Sequence, residues 1–83
     1  HRLDKLSLLE LWAWDTQDFL TKTEGSPIRR TGYDNFMRNV AVALGNAPFN
    51  QVIIDKLQQK RPMISENTTE HIDWAIQQQL SKS

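Results

Sequence analysis

The clearest pattern in the chain begins at Tyr33, where Phe36, Val40, Ala43 and Leu44 fall on one face of a helix with Met37 and Ala41 beside them. Gly45-Asn46 ends that run in the manner of a left-handed C-terminal pair. Upstream, Asp4 is placed to cap a first helix with Leu6, Leu9 and Ala13 on its core face and Leu8, Leu11 and Trp12 broadening the stripe. Asp15 reads as the N-cap of a second, short helix, with Asp18 three positions on completing a capping box and Trp14 set to pack on Phe19. Gly25 then breaks the periodicity. Ser26-Pro27 supplies a cap followed by proline at the first helical position, and the short helix so begun carries Ile28, Arg29 and Arg30 and stops at Gly32. Downstream, Pro48 opens a helix whose buried stripe is Phe49, Val52, Ile53 and Leu57, broken by Lys60-Arg61-Pro62. Ser65 caps the last helix, which buries Thr68, Ile72, Ala75, Ile76 and either Gln79 or Leu80.

No segment alternates with the period of a strand, so the pattern predicts an all-α fold of short antiparallel helical hairpins. With 83 residues the chain has one core, burying roughly 60 to 65% of its unfolded surface, and forms a single domain over residues 1–83. The run Arg38 to Leu44 also echoes Thr69 to Ala75 in apolar placement, an offset of 31 residues that falls in the range of helical-repeat units.

Composition narrows the chemistry. Hydrophobic residues at 39% and charged residues at 24% are those of a chain that folds. The absence of cysteine removes disulfides, iron–sulfur ligation and thiolate zinc sites, and His1 and His71 do not build a metal site unaided, so no cofactor is expected in this chain. No apolar run approaches the roughly 20 residues of a membrane span and the N-terminus lacks a signal-peptide core, which makes a cytoplasmic setting and no membrane partner the expectation. Net charge is zero but uneven: residues 27–61 hold six basic side chains against two acidic, and each flank carries two more acidic than basic. That central excess suits an anionic partner, or it is mixed charge on solvated faces.

The stretch from Asp34 through Arg38 to Ala43-Leu44-Gly45 resembles the second helix of a HEAT-like repeat, in which Asp, an apolar-Arg pair and an alanine-rich run end in Leu-Gly. Adding Leu9-Glu10-Leu11-Trp12-Ala13-Trp14, Phe19-Leu20, Thr23 to Arg30, Ala47-Pro48 and Glu70-His71-Ile72-Asp73-Trp74-Ala75, nearly the whole chain resembles the C-terminal region of epoxyqueuosine reductases. The resemblance implies one HEAT-like C-terminal domain of a longer enzyme. Such an enzyme reduces epoxyqueuosine to queuosine in tRNA with cobalamin and two four-iron clusters, whose ligands lie in the part that precedes this region. The domain is then expected to be a monomer that helps hold the tRNA anticodon stem-loop and packs against its own catalytic domain. The last helix has Thr68-Thr69 where the repeat pattern has an apolar residue followed by Arg.

The candidate RNA-binding residues are Ser26, Arg29, Arg30, Arg38 and Asn39. Ser26-Pro27-Ile28-Arg29-Arg30 puts two guanidinium groups in the first turn of a helix, where free backbone N–H groups also favour an anion. Alternatively Ser26-Pro27 only starts a helix and the arginines pair with carboxylates such as Glu24. Arg38 lies four residues after Asp34, the spacing of a structural ion pair on one helix face, and Asn39 either meets a phosphate or is solvated. Lys56, Lys60 and Arg61 suit the helix dipole at a C-terminus. His71 and Trp74 sit off the buried stripe of the last helix and are candidates for an interface, against a missing domain or a nucleobase. Glu70 and Asp73 point in different directions from His71, so no catalytic constellation forms. Beside the tRNA reading stand two others: a structural domain docked on the catalytic domain, and a HEAT-like protein–protein interaction module.

Overall fold

The computed structural model describes residues 7–83 as five α-helices and two 3₁₀ helices in a slab of 39 × 28 × 16 Å. Helix α1 spans Leu8–Trp12, α2 Thr16–Lys22, α3 Tyr33–Asn46, α4 Gln51–Lys60 and α5 Glu66–Ser81; the 3₁₀ helices are Pro27–Thr31 and Arg61–Met63. No strand occurs among the described residues, as the missing two-residue alternation requires. None of the described helices is long and apolar enough to cross a membrane.

Asp4 and Leu6 lie outside the described residues, and the cap of α1 is Ser7. Its hydroxyl accepts from the Glu10 amide while the Glu10 carboxylate accepts from the Ser7 amide, a reciprocal box. Ala13 is exposed, because the short helix ends at Trp12 and turns its apolar arc onto Trp12 instead. The Asp15–Asp18 box forms as its spacing predicts, at 2.8 and 3.2 Å. Trp14 stacks on Phe36 of α3, centroids 5.4 Å apart, and Phe19 meets the same ring at 5.2 Å, so Phe36 joins the two residues expected to touch each other.

α3 is the centre of the core, with Met37, Ala41 and Leu44 almost without solvent contact. Its ending differs from the expected one. Gly45 stays inside the helix, and the glycines with positive φ are Gly25 and Gly32. A Cβ on Gly45 would lie 2.9 Å from the Ala75 Cα and 2.8 Å from the Trp74 ring, so the missing side chain lets α3 and α5 cross closely. The carbonyls left open at the end of α3 are taken by α5. Gln79 Nε2 donates to Leu44 and Ala47 oxygens at 2.8 and 2.9 Å, and Lys82 Nζ donates to those of Gly45 and Ala47 at 2.8 and 2.7 Å.

The α4 stripe is also shifted from its expected register. Asn50, not Pro48, precedes the helix, and its side chain accepts from the Val52 amide at 2.9 Å. Ile53, Ile54 and Leu57 are buried while Phe49 and Val52 are exposed. Ser65 is the N-cap of α5 by its backbone alone; its hydroxyl approaches Thr68 Oγ1 rather than an amide. Thr68, Ile72, Ala75 and Gln79 form the buried row of α5, Ile76 is half-buried, and of the two alternatives at its end Gln79 is inside and Leu80 outside.

The contacts fix the direction of the helices. Thr68 meets the Asp34 carbonyl near the starts of α5 and α3, Ala75 faces Gly45, and Gln79 reaches Leu44 near their ends, so α3 and α5 run parallel. α4 returns antiparallel along α5: Asn50 at its start bonds Gln79, and Arg61 beyond its end bonds Asp73. α4–α5 is therefore an antiparallel hairpin, and α3 packs directly on α5.

Candidate nucleic-acid interface

The 3₁₀ helix Pro27–Thr31 delivers Arg29 and Arg30 to the surface beside the start of α3, with Gly32 at φ 85° turning the chain directly from one helix into the next. Its amides are already committed. Pro27 has none, the Ile28 N–H donates to Ser26 Oγ at 3.2 Å, and the Arg29 N–H donates to the Ser26 carbonyl at 3.1 Å. An anion here is therefore met by the guanidinium groups and not by the open helix start expected from Ser26-Pro27. Ser26 keeps a hydroxyl hydrogen to donate.

Arg38 and Asn39 lie further along α3, on the side turned away from the core; Arg38 is half-buried and Asn39 exposed. The expected Asp34–Arg38 and Glu24–arginine pairs do not form. Among the described residues Arg61 is the arginine with a carboxylate partner, in a two-pronged pair with Asp73 at 2.8 and 2.9 Å. That contact holds the Arg61 guanidinium above its ordinary range and the Asp73 carboxyl below its own, chiefly through the side-chain hydrogen bond. Arg29, Arg30 and Arg38 have no carboxylate within 4 Å among the described residues.

Where α3 and α5 meet, Val42 on α3 and Glu70, His71 and Trp74 on α5 line an open depression of about 380 Å³. Helical spacing brings these three α5 residues together, since Glu70 and His71 lie four and three positions before Trp74. Trp74 is 39% exposed, whereas Trp12 and Trp14 are 2% and 6%. Its ring is backed by α3 at Gly45. His71 Nδ1 lies 3.0 Å from the Asn67 carbonyl. A carbonyl only accepts, so that nitrogen carries the hydrogen in this contact. Val42 was not singled out by sequence, and Glu70, expected to point away from His71, lines the same depression; the signal for both was their register beside Arg38 and Trp74.

Lys60 serves the fold. Lys60 Nζ donates to the Trp14 carbonyl at 3.2 Å and lies 5.7 Å from the Trp12 ring centroid, and burial lowers its pKa. Tyr33 donates its hydroxyl to the same carbonyl at 2.7 Å; burial first, then the Asp15, Asp34 and Asp18 carboxylates, raise its pKa. A second depression of about 450 Å³ lies between α1 and α4, with Trp12, Lys60 and Met63 in its lining.

The residues present do not fit a four-iron cluster, because the chain offers no thiolate. No group of three His, Asp or Glu among the described residues is placed to hold a metal ion, and neither depression is large enough to enclose a corrinoid.

Comparison with known proteins gives a consistent answer. The chain is 46% identical over 76 residues to the epoxyqueuosine reductase of Pseudomonas aeruginosa, covering 92% of this chain and 21% of that protein. It is 51% identical over 74 residues to that of Francisella cf. novicida, covering 87% and 20%, and 46% identical over 78 residues to that of Escherichia coli K12, covering 90% and 20%. The chain thus spans about one fifth of the length of the curated relatives it matches. No family model matches the chain, and no solved structure does.

Proposed function

We propose, from its homology to one fifth of proteins named epoxyqueuosine reductase, that this chain is the C-terminal HEAT-like domain of such an enzyme and helps hold a tRNA anticodon stem-loop. The parallel packing of α3 and α5, bridged by an antiparallel α4, supports the HEAT-like reading: the 31-residue echo corresponds to two helices lying side by side. In this reading the reduction of epoxyqueuosine, with its cobalamin and iron–sulfur chemistry, takes place elsewhere in a cytoplasmic, monomeric parent. The domain itself contributes binding.

The observation that carries the RNA role is the set of arginines without carboxylate partners. Arg29 and Arg30 on the 3₁₀ helix are exposed and Arg38 on α3 is half-buried, while Asn39 is exposed and Ser26 half-buried. A guanidinium whose donors are uncommitted is suited to a phosphate, and a polar helix face to a structured RNA backbone. Three such contacts give a slope of about −2 to −3 in log affinity against log salt.

The test is a titration with an anticodon stem-loop at two salt concentrations, following the resonances of residues 26–39. Those resonances move at low salt, and Arg29→Glu with Arg30→Glu weakens binding and flattens the salt slope by about two units. Unmoved resonances, or an unchanged slope in the charge-reversed protein, refute the assignment.

A second reading rests on a different surface. Phe49 and Val52 at the start of α4 and Leu80 at the end of α5 are between 41% and 50% exposed, on elements joined through the Gln79–Asn50 bond. Apolar side chains left open there favour a structural domain docked on the catalytic domain. Charge reversal at Arg29 and Arg30 leaves tRNA use unchanged under that reading alone.

A further inference from the structure

The depression between α3 and α5 combines features that a phosphate-binding surface does not need. It has an accessible indole backed by a neighbouring helix, a carboxylate without an ion-pair partner among the described residues, and an imidazole beside them. An apolar protein partner is a poor match, because Val42 and Trp74 are the only apolar residues of the lining and Glu70 and His71 stand beside them. A flat ligand with donors on its edge is a good match: its face stacks on the indole and its edge meets the carboxylate. Arg38, one helical turn before Val42 on α3, supplies a cation at the rim for the phosphate that such a ligand carries.

We propose that this depression is a subsite for one unstacked nucleobase of the bound RNA, and that the base is guanine. The inference rests on the RNA reading given above and deepens it. A carboxylate accepts two hydrogen bonds side by side, and guanine presents two adjacent donors, N1–H and the N2 amino group, on its Watson–Crick edge. Adenine and cytosine present a single amino group beside an acceptor, and uracil a single N–H, so each leaves a carboxylate oxygen unmatched or facing a lone pair. Trp74 provides the stacking face and Glu70 the selectivity. His71, with Nδ1 held by the Asn67 carbonyl, stands beside Glu70 in the lining.

The experiment uses the full chain and stem-loop RNAs whose loop carries a single guanine, with partners in which that guanine is replaced by inosine, by adenine or by an abasic residue. Trp74→Ala weakens binding of the guanine loop about ten-fold, in line with one stacked base, and has no further effect on the abasic loop. Trp74→Phe retains most of the affinity, which separates stacking from loss of fold. Glu70→Gln, at an exposed position, removes the preference for guanine over inosine and adenine without abolishing binding. Trp74→Ala weakening the guanine and abasic loops equally overturns the subsite, as does an unchanged base preference in Glu70→Gln. If the stem-loop binds with its full salt dependence while either result is obtained, the subsite falls and the arginine surface stands. Absence of binding to every loop at low salt overturns both.

Discussion

Replacing Gln79 tests a buried polar tie between α5, the end of α3 and the start of α4. The side chain is fully buried, with Nε2 donating to the Leu44 and Ala47 carbonyls at 2.8 and 2.9 Å and Oε1 accepting from the Asn50 amide at 2.9 Å. The reverse amide orientation would set an oxygen against two carbonyls and a nitrogen against an N–H. Leucine in its place keeps the volume and removes these bonds, together with a longer one to the Pro48 carbonyl at 3.5 Å. The Asn50 N–H is then orphaned, at a cost of about 1 to 3 kcal/mol. The Leu44 carbonyl keeps the Ala47 amide at 3.3 Å and the Ala47 carbonyl keeps Lys82, so each of those losses is smaller, on the order of 0.5 kcal/mol. The sum for Gln79→Leu is about 2 to 4 kcal/mol, a large part of the roughly 4 to 12 kcal/mol expected for a domain of this length.

Glutamate separates hydrogen bonding from shape. Gln79→Glu replaces the double donor by an oxygen facing two carbonyls, so the ionised form is repelled and the folded-state pKa lies above the unfolded value of about 4.3. A raised carboxyl pKa contributes stability that is fully present below the unfolded pKa and is lost as pH rises toward the folded one. Within that window each pH unit removes up to about 1.4 kcal/mol. Urea unfolding followed by far-UV circular dichroism at pH 4, 5, 6 and 7 reads this directly. The difference between Gln79→Glu and the parent protein grows with pH, whereas that between Gln79→Leu and the parent stays flat. A glutamate variant as stable as the parent at pH 7 refutes the assigned role of Gln79.

Two further substitutions probe the core around α3. Tyr33→Phe removes the hydroxyl bond to the Trp14 carbonyl and costs about 1 kcal/mol at neutral pH. Tyr33 is the single tyrosine, so absorbance at 295 nm titrates it alone and finds its midpoint above 10.0. Its contribution is present below the unfolded pKa and lost as pH rises through the folded one, so stability falls in alkali less steeply in Tyr33→Phe. Lys60 acts with the opposite sign, since its lowered pKa adds stability as pH rises toward 10.5, and both proteins share that term. Gly45→Ala gains about 1 kcal/mol of helix propensity. It also forces a methyl group within 2.9 Å of the Ala75 Cα, a backbone atom that cannot swing aside. Overpacking of that kind costs about 1 to 3 kcal/mol, so the net effect in thermal unfolding is destabilising, with a changed near-UV signal from Trp74.

The parts of this fold legible in the sequence are those set by local chemistry. The Asp15–Asp18 box, the Ser26-Pro27 start, the α3 face around Met37 and Leu44 and the α5 row from Thr68 to Gln79 depend on spacing within one helix, which a single sequence displays. The misplaced residues depend on contacts between helices. Val52 and Ile54 are equally apolar neighbours, and the choice between them was made by Asn50, whose side chain caps α4 while its amide is bound by Gln79 from α5. Gly45 has the sequence context of a helix terminator and serves as a crossing point, because its neighbour is Ala75 from thirty residues away. At the candidate site the same division holds. Arg29, Arg30 and Arg38 were visible as residues, but their lack of ion pairs and the meeting of Val42 with Trp74 follow from the parallel packing of α3 and α5.

Charge distribution bears on how such a surface would work. The chain is neutral overall, so no long-range field draws an RNA toward it, and at physiological salt a contact is felt within a screening length of about 8 Å. Three exposed or half-exposed arginines and one stacking indole then give a weak site when they act alone. Under the proposed function weak binding suffices, since tethering to a catalytic domain that already holds the same RNA makes the second contact intramolecular. The effective concentration for a short linkage is on the order of millimolar, which lets contacts of modest affinity orient the stem-loop without slowing its release. A freestanding RNA-binding module would need a strong net positive charge. A domain whose partner is delivered by its own parent needs a few uncommitted guanidinium groups held at fixed positions, and the Gly45 crossing and the Gln79 clasp fix α3 and α5, the helices that carry Arg38 and Trp74.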